Sequence, residues 1–207
     1  KLYNLFINLW IRGHSLKYIL NMKVLFTEPQ VQYPNKLYGD VRAEVGIRLN
    51  YALLAGHIRE HADVKVQPYR LLDFLGIPYS LEDDISQADI VCVGASTAEA
   101  KSARRIVEEA RRQAKVTIAG GIFPSANPNY LGADYTVIGE GERPLLEIVK
   151  ALSQGLEPRV ERLTLSDIDS VEPAYDLLPM QLYREHVKGL VYTARGCEND
   201  CSFCTVS

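Results

Sequence analysis

Short apolar runs alternate with segments of helical period along most of this chain, and most of the runs end in glycine. Residues 23–27 (Lys-Val-Leu-Phe-Thr) form a β-branched, apolar run closed by Glu28 and Pro29. Tyr51, Leu54, Ala55 and Ile58 then recur at helical spacing as one apolar stripe. Residues 63–67 alternate like a half-exposed strand, with Pro68 suited to its end. Residues 88–93 are nearly continuously apolar, as in a strand covered by helices on both faces, and lead into Gly94. Ala103, Ile106, Val107, Ala110 and Ala114 return to helical spacing. The mixed charges of Lys101, Arg104, Arg105, Glu108, Glu109, Arg111 and Arg112 read as the solvent face of that helix. Residues 115–119 run into Gly120-Gly121, and residues 134–138 into Gly139-Glu-Gly-Glu142. Pro144 suits a helix start, and the helix that follows places Leu145, Ile148, Val149 and Leu152 on one face before Gly155. Five strands with helical crossovers predict a doubly wound α/β fold around a parallel sheet.

In such sheets ligands sit beyond the carboxyl ends of the strands. Here those ends carry Thr27-Glu-Pro, Gly94-Ala-Ser96-Thr97, Gly120-Gly121 and Gly139-Glu140-Gly141-Glu142. Glycine lets backbone approach a flat, bulky ligand closely, although tight turns of a generic fold use the same residues.

Residues 156–189 lose any strong period, with Pro158, Pro173 and Pro179 among acids and short apolar pieces, and read as a linker with one short strand near 159–165. Residues 190–194 form a new strand feeding Arg195-Gly196-Cys197. At the other end, residues 1–21 contain Lys1, Arg12 and Lys17 but no acid, and their apolar stretch is too short to span a bilayer. They read as a leader or upstream read-through before a start at Met22, or else as an amphipathic helix packed on the domain. The expected division is thus 1–21 leader, 22–155 sheet domain, 156–189 linker and 190–207 the beginning of a second domain.

A formal charge of −3 over 207 residues supplies no basic field for nucleic acid or an anionic membrane. Four cysteines are too few for a disulfide scaffold, and their distribution is uneven. Cys92 stands alone in an apolar strand, as a small core residue would. Cys197, Cys201 and Cys204 form C-x3-C-x2-C, a metal or redox pattern that fits a reducing, cytoplasmic setting. Three thiolates so spaced can hold three irons of a [4Fe–4S] cluster and leave the fourth open to a ligand. Zinc requires a fourth ligand, for which His186 is available but no second cysteine pair exists. A redox pair of Cys201 and Cys204 leaves Cys197 unexplained.

This loop, with Phe203 before its last cysteine and Thr193-Ala-Arg-Gly196 ahead of it, resembles the signature of radical S-adenosylmethionine enzymes. The upstream residues resemble the Rossmann- or flavodoxin-like cobalamin (B12)-binding domain that precedes the loop in one branch of that family. The pieces that match are 23–29, 88–94, 119–121 with Pro124, 134–142, and Ala174-Tyr-Asp-Leu177. The resemblance implies that Cys197, Cys201 and Cys204 ligate a [4Fe–4S] cluster whose open iron binds S-adenosylmethionine, with Phe203 near the adenine. Reductive cleavage would then release methionine and a 5′-deoxyadenosyl radical. It further implies cobalamin contacts at Ser96, Thr97, Gly120, Gly121, Gly139, Glu140 and Gly141, an electron donor such as flavodoxin or ferredoxin, and radical methyl transfer or cyclisation on a small-molecule or peptide substrate.

Two departures qualify the match. Thr27-Glu-Pro-Gln-Val-Gln32 replaces the D-x-H-x-x-G of domains that ligate cobalt through histidine, and Ser96-Thr97-Ala98 only partly matches S-x-L. His57 lacks that context and reads as a surface or helix-packing residue, so cobalamin is expected to bind without protein histidine ligation. The chain ends three residues after Cys204, whereas a barrel requires on the order of 200 more residues. The expectation is a fragment that folds in its first domain and is catalytically inert alone. Other classes compatible with the sequence are a non-catalytic corrinoid- or nucleotide-binding module with structural metal-binding cysteines, and a cofactor-free domain that docks partners.

Overall fold

The structure, a computed structural model, describes residues 22–30, 47–159, 171–183, 192, 195–199, 201–202 and 204. Five parallel strands stand in the order β2-β1-β3-β4-β5. They are β1 (Lys23–Thr27), β2 (Asp63–Gln67), β3 (Ile90–Gly94), β4 (Val116–Gly120) and the two-residue β5 (Tyr135–Thr136). Val24 lies opposite Val64 on one side and Ile90 on the other, and Cys92 lies opposite Ile118. The order reverses between β1 and β3, the switch point at which sheets of this kind open toward ligands.

Strand alternation sorts the core into two layers. Val24, Phe26, Ile90, Cys92 and Ile118 face α1 (Leu49–Ile58) and α6 (Glu142–Ser153), against Ala52, Ala55, Leu145, Ile148 and Val149. Leu25, Val91, Val93 and Ala119 face α3 (Leu81–Gln87) and α4 (Ala100–Arg112), against Ile85, Ala103, Ile106 and Val107. Each large apolar side chain so buried contributes about 1.5–3 kcal/mol. The doubly wound parallel sheet expected from the alternation is present.

Several boundaries differ from the sequence reading. β3 begins at Ile90 because Ala88 caps α3 and Asp89 bonds back to β1, its amide to the Lys23 carbonyl and its carboxylate to the Lys23 amide. β4 is shifted one residue onward, ending at Gly120. The fifth strand is ladder-paired only at Tyr135 and Thr136; Asp134 instead turns its carboxylate onto the amide and hydroxyl of the fully buried Thr117, at 2.9 and 2.7 Å. Ala114 does not continue the apolar stripe of α4. It is exposed and left-handed (φ 54°), two residues past the helix end. Pro144 sits in the third position of α6, not the first.

Two helices after β2 were not anticipated. They are α2 (Tyr69–Leu75), ended by left-handed Gly76, and α3, capped by the Ser80 side chain on the Asp83 amide at 3.1 Å. Between β4 and β5 lies the short α5 (Ile122–Ala126).

Part of the stretch expected as a linker is packed. Residues 171–183, containing a 3-10 turn (Tyr175–Leu177) and α7 (Met180–Tyr183), lie along α1 and bury Val171, Ala174, Leu178 and Tyr183. The Ala174 amide donates to the Ala52 carbonyl at 2.9 Å, and Arg59 forms a two-pronged pair with Asp176. Gly56 permits the approach, since a Cβ there would stand 2.0 Å from the Glu172 carbonyl oxygen. The leader at 1–21, positions 160–165 of the short strand, and the strand at 190–194 other than Tyr192 lie outside the described residues, as does Phe203.

Candidate functional site

A cavity of about 400 Å³ opens at the carboxyl ends of β3, β4 and β5. Its floor is apolar, with Phe26, Val93, Ile118, Val137 and Leu145. Gly94, Gly120, Gly121, Gly139, Glu140 and Gly141 form its turns, and Tyr192, Arg195 and Gly196 close one side. The structure thus brings together Gly120, Gly121, Gly139, Glu140 and Gly141 from the expected contacts.

Ser96 and Thr97 lie apart from this lining. Ser96 opens a 3-10 turn (Thr97–Glu99) through a capping box in which Glu99 accepts the Ser96 amide at 2.6 Å, and Thr97 is exposed beside it. The Ser96 amide is committed to that turn.

The glycines differ in what requires them. Gly121 has φ 97°, and a Cβ there would lie 3.1 Å from the Ala95 carbonyl oxygen, which accepts the Phe123 amide in that turn. Gly120 has no positive φ, and a Cβ would meet only Val137, at 4.0 Å. The chain itself therefore does not demand glycine at 120, and a side chain there would take up cavity space. A bulky group held against the β4 turn fits this vacant cradle, at a volume within the ordinary range of ligand clefts.

Tyr51, absent from the sequence-level site, closes the crevice between β1 and β3. Its hydroxyl donates to the Thr27 carbonyl at 2.8 Å and accepts the Gly94 amide at 3.1 Å. Burial pushes its ionisation up to about 12, so the phenol stays neutral with both hydrogen-bonding roles used. The cavity accordingly lies toward β3–β5. Phe26 packs on Tyr51, with ring centroids 5.5 Å apart.

Beyond β1, one residue before the Pro29 that replaces the histidine of a D-x-H motif, Glu28 is 3% exposed. Arg48 pairs with it, and its second oxygen accepts the Arg70 amide at 3.2 Å. Arg70 in turn pairs with the buried Glu99 and donates to the Pro29 carbonyl at 2.8 Å. Burial works against the Arg48 charge, but Glu28 more than offsets it and the guanidinium is held above its usual range. The pairs join the β1, β2 and β3 ends and fix the floor from outside. Sequence marks Glu28 only as part of the Thr27-Glu-Pro turn and does not mark Arg48, Arg70 or Glu99, because their positions in the chain give no local pattern.

No described histidine lines the cavity, and His57 is a half-buried residue of α1, its imidazolium disfavoured by burial. Cys92 is a buried core residue whose thiol burial pushes far above its usual value. Cys197, Cys201 and Cys204 are exposed, the Cys204 amide donating to the Cys201 carbonyl at 2.9 Å. Hydrogen bonds from Asn199 draw the Cys197 thiol down from its usual value. Among the described residues, no three histidine, cysteine or carboxylate side chains converge as a metal-holding group. Nor is any described helix long and apolar enough to cross a membrane.

Residues 36–149 match the family described as the B12 binding domain. The chain is also similar to an uncharacterized methyltransferase of Pyrococcus horikoshii, 29% identical over 217 aligned residues, covering 90% of this chain and 46% of that protein. Two methyltransferases of Chlorobaculum tepidum match as well. The bacteriochlorophyllide d C-8(2)-methyltransferase is 28% identical over 124 residues, covering 56% of this chain and 28% of that protein. The C-12(1)-methyltransferase is 25% identical over 172, covering 78% and 35%. The chain spans less than half the length of each of these relatives.

Proposed function

The chain belongs to the B12-binding domain family, and on that premise we propose that its carboxyl-end cavity holds a corrinoid in an enzyme of methyl transfer. The observation that carries this reading is the cradle at Gly120, a glycine that neither backbone strain nor a neighbouring atom explains. A bound cobalamin supplies methyl-carrier chemistry at cobalt. The chain's own part is to offer the open backbone of Gly120, the turns at Gly121, Gly139 and Gly141, and an apolar floor that excludes water. Tyr51, with its hydroxyl committed to Thr27 and Gly94, does not coordinate metal and serves to seal the β1–β3 crevice. That methyl transfer is the purpose is supported by the named activities of the relatives.

The finer reading is a cobalamin-dependent radical S-adenosylmethionine enzyme in which Cys197, Cys201 and Cys204 ligate a [4Fe–4S] cluster. Its support is the C-x3-C-x2-C spacing. An external electron donor of the flavodoxin or ferredoxin type belongs to this reading. The described cysteines do not converge in the structure, so the chain's part in such a cluster is limited here to supplying donors.

Equilibrium dialysis against hydroxocobalamin tests the first reading. The chain retains about one equivalent, and Gly120→Leu folds with an unchanged circular dichroism spectrum but loses retention; failure of the unaltered chain to retain it refutes the reading. Anaerobic reconstitution tests the second. About four irons per chain are expected, lost when all three cysteines are replaced by alanine. Stoichiometric zinc with no iron supports structural cysteines on a corrinoid module instead.

A further inference from the structure

Glu142 opens α6 at the cavity edge, and only 6% of its side chain is exposed. A carboxylate so buried is costly unless paired. Its carboxylate accepts from the Arg195 guanidinium, 53 residues later in the chain, and Arg195 is itself only 17% exposed. The guanidinium carbon stands 5.9 Å from the Tyr192 ring centroid, within cation–π range. Tyr192, Arg195 and Gly196 line the cavity together with Gly139, Gly141 and Glu142, and Cys197 follows directly.

From this juxtaposition we infer that Glu142 and Arg195 are positioning residues whose ion pair holds the cysteine-bearing segment against the sheet domain and completes the cavity wall. Among the described residues, the pair is the only ion pair between Arg195 and the sheet domain, and both partners are largely desolvated. Loss of one partner leaves a buried charge unmatched, so the segment leaves the wall. The Arg195 side chain then becomes available to solvent, and the cavity loses one side. The inference draws its functional meaning from the corrinoid reading, but the contact itself can be tested without a ligand.

Trypsin cleavage after Arg195, followed by mass spectrometry on the full chain, reports the pair, because the protease must extract that side chain. Cleavage after the exposed Arg104 on α4 serves as the internal measure of general unfolding. Glu142→Gln is expected to accelerate cleavage at Arg195 about tenfold, the equivalent of ~1.4 kcal/mol, with Arg104 unchanged. Hydroxocobalamin slows the Arg195 cut in the unaltered chain and fails to do so in Glu142→Gln. This protection pattern is one that a merely structural role does not produce. Arg195→Lys keeps the charge but not the planar fork; trypsin also cuts after lysine, and a smaller acceleration is expected. Equal cleavage at position 195 in the unaltered chain and in both variants overturns the inference. If the unaltered chain retains no hydroxocobalamin while Glu142→Gln still exposes Arg195 selectively, the contact stands and the corrinoid reading fails.

Discussion

Gly56→Ala separates two effects of opposite sign. Inside α1, replacing glycine by alanine favours the helix by about 0.5–1 kcal/mol. The added methyl, however, would sit 2.0 Å from the Glu172 carbonyl oxygen, 3.2 Å from its carbon and 3.3 Å from the Ala174 nitrogen. Ordinary contact begins at 3.4 Å, and these are backbone atoms with no rotamer to change. The 171–183 segment must therefore retreat by more than an ångström, stretching the 2.9 Å bond from the Ala174 amide to Ala52 and loosening Ala174 and Leu178 in the core. Overpacking of this kind costs ~1–3 kcal/mol and a lost hydrogen bond ~0.5–1.5. The steric effect wins by roughly 0.5–4 kcal/mol, and for a chain of this size the midpoint falls by about 2–4 °C for each kcal/mol. Thermal melts followed by circular dichroism measure the midpoint, and hydrogen exchange at the Ala174 amide locates the damage. A raised melting temperature, with Ala174 protection intact, would refute the packing of this segment on α1.

Other expectations concern separate parts of the molecule. Asp84 accepts from Lys65 at 2.6 Å, Gln67 at 2.9 Å and Tyr69 at 2.8 Å. Burial alone would raise its ionisation, but those donors together hold it below the usual carboxylate value. A depressed folded value means the carboxylate stabilises the fold above its unfolded value near ~3.9 and ceases to as pH falls through the folded one. Asp84→Asn is therefore about 1–2 kcal/mol less stable at neutral pH by urea titration, and the gap closes in acid below about pH 4. A gap that persists unchanged there contradicts the network. Thr117→Val removes the hydroxyl that both donates to the Asp134 carboxylate and accepts the Asp134 amide. It costs about 1–3 kcal/mol by the same titration, and an unaffected midpoint argues against the anchor of β5. Disulfide-exchange labelling reads the thiols directly. Cys197, Cys201 and Cys204 react in the native chain and Cys92 only on unfolding, because it is buried and its thiolate is disfavoured.

What was legible in the sequence was what local period and turn chemistry encode. The apolar runs of β1, β3 and β4 and the stripe of α6 face the core as their spacing requires, since a strand covered on both faces has no reason to alternate. The turns at Gly120-Gly121 and Gly139–Gly141 stood out because glycine after a strand is conspicuous, and these residues line the cavity. What local pattern could not encode was pairing across distance. Glu28 and Arg48 lie 20 residues apart, Glu28 and Arg70 lie 42 apart, and Glu142 and Arg195 lie 53 apart. Glu28, Glu142 and Arg195 fall in turns or motifs that the sequence marks, but nothing local names their partners. Nothing in the local pattern marks Gly56 as the space into which another segment packs. Residues 171–183 were obscured for the complementary reason: too short for a period and interrupted by proline, they are held by α1 rather than by their own propensity. The start of α3 is encoded locally by Ser80 ahead of Glu82, Asp83 and Asp84, an N-cap with acids in the first turn. The helix carries no apolar stripe, since Ile85 alone is buried there. The site follows the same division. Its glycine turns are local and could be read, whereas Tyr51, which shifts the cavity toward β3–β5, acts by joining Thr27 to Gly94 across the two strands at the switch point.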